Sequence, residues 1–259
     1  MNYSFEKIKR KYISLGLKKS QNLYITSDFG KIIKKEFLTL EVVENHYRAI
    51  RDIIGPNGTI IVPTASLNLC NSNKIFDLYK TPSYMMGTFS ELIRKKRHAR
   101  RSFHPFWSVS SIGKQSNYFT KNIPKHAFGY DSIWTRLIKK NAFSLHVGID
   151  PRHSISIIHY IELMCGVPYR STKIFKQYFL RNGKKLKDEF YHFAITNRKK
   201  VVRDKNKKIF KNFRRNFKPK TLFFDRGKLT LFPLAAFYNI TLKYLSNNPY
   251  GWTKKINKK

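Results

Sequence analysis

Residues 154–163 read SISIIHYIEL, an apolar run with His159 and Glu162 set into it. The two lie at i and i+3, so on a helix they share a face. Ser154 or Ser156 would cap a helix starting here. His159 then lies about one turn from the helix's positive end, which disfavours imidazolium and lowers its pKa. A neutral imidazole at neutral pH is a usable general base. Glu162 can orient the ring or hold a substrate ammonium. An isolated pair of this kind is more often a satisfied core histidine beside an exposed glutamate, so its neighbours must decide.

Other segments offer weaker chemistry. In RSFHPFWS, His104 precedes Pro105, which restricts the backbone and fixes the entry of the next segment. The loop ITSDFG, placed between a strand and a helix, could aim backbone N–H groups at a phosphate or an oxyanion. It lacks the GxGxxG and GKS/GKT patterns. His146, His153 and His159 share no helical or strand spacing with a completing carboxylate, so no metal site is expected. Residues 198–220 carry twelve Lys/Arg and one acid, Asp204. Phe210, Phe213 and Phe217 interleave with those cations, a pattern that can stack bases. Ile209, Phe213 and Phe217 also fall near helical spacing, as in an amphipathic helix docked on the body.

Length and composition bound these readings. The 259 residues suffice for a sizeable core, and 41% hydrophobic with 15% aromatic content argues for a folded globular chain. Fifty-two Lys and Arg face 15 Asp and Glu, a net charge of +37. Such a field attracts phosphates, acidic glycans, nucleic acid and anionic lipid headgroups without choosing among them. Two cysteines, Cys70 and Cys165, make no disulfide framework and no CxxC pair. The opening MNYSFEKIKRKY has no apolar h-region, and no stretch reaches the length of a membrane span. A cytoplasmic location is expected, with basic side chains able to meet the inner membrane face.

Elements that could position these residues follow in order. Residues 23–25 read as a strand, residues 32–54 as a helix stopped by Gly55, and TIIVPT as a buried strand. That alternation is an α/β signature. A short basic helix follows at FSELIRKKRHARRS, then a strand after FHPFW, a helix capped near Ser132, a strand at AFSLHVGID and an apolar helix around 234–245. One domain spanning 1–259 is expected, with a basic, mobile subregion at about 181–220 and a frayed tail TKKINKK.

Taken in order, ITSDFG, GPNGTIIVPT, FDLYKTPSYMMGTFSELIR, RSFHPFWSVSSIG, FGYDSIWTRL, LHVGID and SIIHYIE are similar to the motif series of the aminoglycoside 3-N-acetyltransferase family. The series runs from an HSSL-type loop through GPxGTLxxPT and RSxHP to TxxHxxE. The resemblance implies an α/β fold with a central mixed sheet flanked by helices, and acetyl-CoA as acetyl donor without a metal. It implies His159 as catalytic base with Glu162, and Ser156 at the threonine position. It places Ser27, His104, Ser108 and Val109 at the coenzyme, and Asp77 with Glu162 at the acceptor. Thr26 stands at the histidine of the HSSL-type loop and Asp28 at its second serine.

HYIELMCGVPYRSTKIF resembles a branch associated with surface-polysaccharide synthesis, which implies an amino-sugar acceptor, nucleotide- or lipid-linked. A strongly basic chain is a poor host for a polycationic aminoglycoside. N-acetylation of an amino sugar is therefore expected first, antibiotic acetylation second, and non-catalytic nucleic-acid binding third.

Overall fold

The computed structural model describes residues 3–198, 201–204 and 206–254. Its elements are α1 (Phe5–Leu15), β1 (Asn22–Ser27), α2 (Leu40–Ile54), β2 (Thr59–Pro63), α3 (Thr88–Lys95), β3 (Arg100–Arg101), β4 (Val109–Gly113), α4 (Ser116–Thr120), α5 (Ile133–Lys139), β5 (Phe143–Val147), α6 (Pro151–Ser154), α7 (Ile157–Met164), β6 (Arg170–Arg181), β7 (Lys184–Ile195), β8 (Val202–Arg203), α8 (Lys207–Asn216), β9 (Lys220–Phe224), β10 (Gly227–Pro233), α9 (Leu234–Asn247) and β11 (Thr253–Lys254). Seven strands form one sheet in the order β3-β4-β2-β1-β5-β10-β9. β2, β1 and β5 run parallel, and the outer strands pair antiparallel. The expected α/β fold with a mixed central sheet is the one observed.

Alternation along the parallel strands makes the two faces. Leu23 and Ile25 turn to the layer of α1 and α2, while Tyr24 turns to the layer holding Trp134, Ile161 and Phe237. Strands apolar on both sides must be covered on both sides, and helices do so here. The helix expected over 32–54 begins at Leu40. Thr39 Oγ1 caps it by accepting from the Val42 N–H at 3.3 Å, and residues 29–31 and 35–37 form short 3₁₀ turns before it.

The stretch after residue 170 differs most from its sequence reading. β6 and β7 form a hairpin paired from Arg170↔Ile195 to Arg181↔Lys184. Its turn is Asn182-Gly183, both at positive φ. In the basic run, α8 buries Ile209, Phe210 and Phe213 against Phe232 and Phe237. Its phenylalanines dock on the body, so Phe210 and Phe213 are not free to stack bases. Lys199, Lys200, Lys205 and the tail 255–259 lie outside the described residues. No described helix is long and apolar enough to cross a membrane.

Candidate active site

α6 is one turn, started by Asp150, whose carboxylate accepts from the Arg152 N–H at 2.9 Å, and by Pro151. The chain bends at Ile155 and restarts at Ser156 as α7. Ile157, Ile158, Tyr160 and Ile161 bury one side of α7 in the core, and Glu162 is carried in with them, fully enclosed. His159 stands in the first turn with its side chain 15% exposed.

A buried carboxylate costs several kcal/mol unless it is paired and hydrogen-bonded. Glu162 has three partners. Its Oε2 accepts from His159 Nδ1 at 2.9 Å, and its Oε1 accepts from Tyr169 Oη at 2.9 Å. Arg170 Nε lies 2.9 Å from Oε2, close enough for an ion pair though off the N–H direction of a hydrogen bond. Because the carboxylate only accepts, the His159 proton sits on Nδ1. Nε2 then has a free lone pair, no hydrogen-bond partner among the described residues and solvent access. Burial, above all, lowers the His159 pKa; Glu162 raises it and Arg170 lowers it further. Trp107, Phe128 and Trp252 stand around the ring, at 6.2, 5.4 and 5.4 Å between centroids.

Two cavities meet at the bend before α7. One, of about 280 Å³, is lined by His159, Arg152, Arg203 and Trp252. The other, of about 240 Å³, is lined by Ser27, Ser108, Val109, Trp107, Met85 and Trp134. His153, Ser154 and Ser156 line both. The structure thus brings Ser27, Ser108, Val109, Ser156 and His159 to one connected site. The Ser156 hydroxyl makes no hydrogen bond with a described residue, so it is a free donor at the junction.

Two expected residues are placed elsewhere. His104 is fully buried and lines neither cavity. Its Nδ1 accepts from the Phe106 and Trp107 N–H groups at 3.3 and 3.1 Å, and its Nε2 donates to the Lys125 carbonyl at 3.1 Å. Burial lowers its pKa to about 4. Asp77 lines neither cavity; its Oδ1 accepts from the Tyr79 and Lys80 N–H groups at 2.7 and 2.9 Å and shapes that turn. The Val109 N–H donates to Ser102 Oγ at 2.9 Å and the Asp28 N–H to the Val147 carbonyl at 2.8 Å. Neither N–H is free to bind an oxyanion, the role expected of the loop.

Sequence reasoning missed several groups. Tyr169, just before β6, and Arg170, its first residue, had no visible tie to Glu162. Arg101 is clamped by Ser108 Oγ at 3.0 Å and the Thr64 and Thr81 carbonyls, which fixes one wall of the smaller cavity. Thr26 is paired with His146 across β1 and β5. Both Thr26 Oγ1 and Ser154 Oγ lie 2.8 Å from His146 Nδ1, and Ser144 Oγ is 2.8 Å from Nε2. Burial drives the His146 pKa down to about 3. A histidine on the neighbouring strand thus answers the threonine at the HSSL-type position. At Gly87, φ is +85° and a Cβ would approach the Ser27 carbonyl to 3.0 Å, so only glycine fits behind Ser27.

A model of the aminoglycoside 3-N-acetyltransferase family matches residues 35–246, and the chain belongs to that family. On that membership it is an acetyl-CoA-dependent N-acetyltransferase. Solved structures share its fold at low identity. The YokD protein from Bacillus subtilis is 21% identical, with a TM-score of 0.81 over 95% of this chain and 100% of its own. AAC-VIa bound to sisomicin is 17% identical, with a TM-score of 0.83 over 95% and 98% of the two chains. AAC-IIIb in a binary complex with CoASH is 16% identical, with a TM-score of 0.82 over 94% and 96%. No curated protein matches the chain.

Proposed function

We propose that this enzyme acetylates the amine of an amino sugar, with His159 as general base, and that transfer is direct. The observation that carries the reading is the His159–Glu162 hydrogen bond, which fixes the proton on Nδ1 and leaves Nε2 to the cavity. Acetyl-CoA supplies the activated acyl group. The smaller cavity suits its thioester arm, because Met85, Trp107 and Trp134 offer apolar walls beside the Ser27 and Ser108 hydroxyls. His159 Nε2 takes the proton that the amine loses as its nitrogen bonds to the acyl carbon; the tetrahedral adduct then collapses with cleavage of the C–S bond, and the departing CoA thiolate takes that proton from the imidazolium or from solvent. The Ser156 hydroxyl donates to the acyl oxygen as its charge grows. Glu162, held by Tyr169 and Arg170, keeps the imidazole in the productive tautomer and stabilises its cation.

For the acceptor, the relatives favour an aminoglycoside, since neighbours are described as aminoglycoside acetyltransferases and one is bound to sisomicin. A second reading, an amino-sugar precursor of a surface polysaccharide on a nucleotide or lipid carrier, draws support from the net charge of +37. Basic residues would also let the enzyme meet an anionic membrane face. Acetyl transfer from labelled acetyl-CoA to sisomicin and to simple amino sugars tests both, with His159→Ala as the control. Full turnover in that variant removes His159 from its role.

A further inference from the structure

Charge around the larger cavity is one-sided. Arg152 and Arg203 line it, and among the described residues no carboxylate does. The acids nearby are already engaged. Glu162 is sealed behind His159 by Tyr169 and Arg170. Asp150 holds the Arg152 guanidinium at 2.6 and 2.9 Å. Asp204 is buried and accepts from the Lys208 N–H at 2.8 Å. Arg203 forms no ion pair with a described residue. Its guanidinium lies 5.3 Å from the Trp252 ring, and that of Arg170 lies 4.9 Å from the same ring.

Arg170 adds the second observation. Its side chain is 4% exposed, and its Nη2 is buried without a hydrogen-bond partner. Two guanidiniums therefore share one indole, with a single carboxylate behind them. Burial and then the Arg170 charge lower the Arg203 pKa, so the pair is repulsive as it stands. An anion seated at Arg203 relieves that repulsion, and a cation there aggravates it.

We propose that the cavity beside His159 recognises its acceptor through an oxyanion carried on the amino sugar, a phosphoryl or carboxylate group held by Arg203 with Arg152 at the rim. Guanidinium forks pair with either group. The inference rests on the reading that this cavity takes the acceptor. It names the acceptor as an anionic amino sugar and makes a polycationic one unfavourable.

Calorimetric titration without donor tests it independently of turnover. The probes are glucosamine, glucosamine 1-phosphate, glucosamine 6-phosphate, 2-amino-2-deoxyglucuronic acid and sisomicin. At least one anionic probe should bind about tenfold or more tighter than glucosamine, the size of one charge-assisted contact. Comparison of phosphates with the uronic acid identifies the oxyanion. Arg203→Gln should remove the difference and Arg203→Lys retain part of it; both sit on the short, exposed β8. Equal binding of glucosamine and all anionic probes overturns the proposal, as does tightest binding of sisomicin or an unchanged preference in Arg203→Gln. If an anionic probe binds tightly yet accepts no acetyl group, the oxyanion site stands and the acceptor reading falls.

Discussion

His159 and His104 both sit in motifs visible in the sequence, and burial lowers the pKa of both. In other respects they are opposites. His104 spends both ring nitrogens on backbone groups, one on the turn that carries Trp107 and the other on the Lys125 carbonyl. His159 spends one nitrogen on a carboxylate and keeps the other facing a cavity. Burial alone therefore does not mark a working base. The geometry a general base needs is one nitrogen pinned by a group that fixes the tautomer while the other has solvent access, and of these two histidines His159 has it.

The comparison can be broken by three variants. His159→Ala should lower kcat/KM by about 100- to 10,000-fold, the usual worth of a general base, at a stability cost of about 1–3 kcal/mol, because Glu162 loses one hydrogen bond but keeps Tyr169 and Arg170. A loss under tenfold makes His159 another His104. Glu162→Ala strands Arg170 in the interior and should cost about 3–5 kcal/mol of stability, read by urea unfolding, as well as activity. His104→Ala leaves two N–H groups and a carbonyl unpaired and should cost about 1–3 kcal/mol, with turnover at saturating substrate changed far less than in His159→Ala.

Acid sharpens the contrast further. The His104 pKa is about 4 in the fold against 6.5 in the unfolded chain, so on acidification the unfolded chain binds a proton first. The stability held above pH 6.5 should drain away between 6.5 and 4, by about 1.4 kcal/mol per pH unit from this group. His104→Ala should flatten that slope in melting curves. For His159 the same downward shift acts on rate. The acid limb of kcat/KM should lie below pH 6.5 and move upward in Arg170→Met, since the Arg170 charge helps hold the pKa down.

The site was legible unevenly, for physical reasons. The His159–Glu162 pair could be read because both members lie one helical turn apart. The parallel strands could be read because buried strands are continuous apolar runs. The hairpin of β6 and β7 is hard to read although Asn182-Gly183 marks its turn, because lysines on its exposed residues mask the alternation. The chemistry beneath Thr26 could not be read at all. His146 lies 120 residues away and meets it only through the pairing of β1 with β5.

The sequence alone determined the α/β class, the histidine and glutamate at helical spacing, and an excess of positive charge. These are local or additive properties, fixed by residue type and short spacing. Tertiary structure decided which histidine is sealed and which faces a cavity, and which arginine holds the buried glutamate. It also decided where the positive charge is left unpaired. Each of those depends on the packing of segments far apart in the chain, as when β6 returns Tyr169 and Arg170 to Glu162 and Trp252 to Arg203 closes the wall. The pair in SISIIHYIEL is buried on one side and open to a cavity on the other only inside that packing.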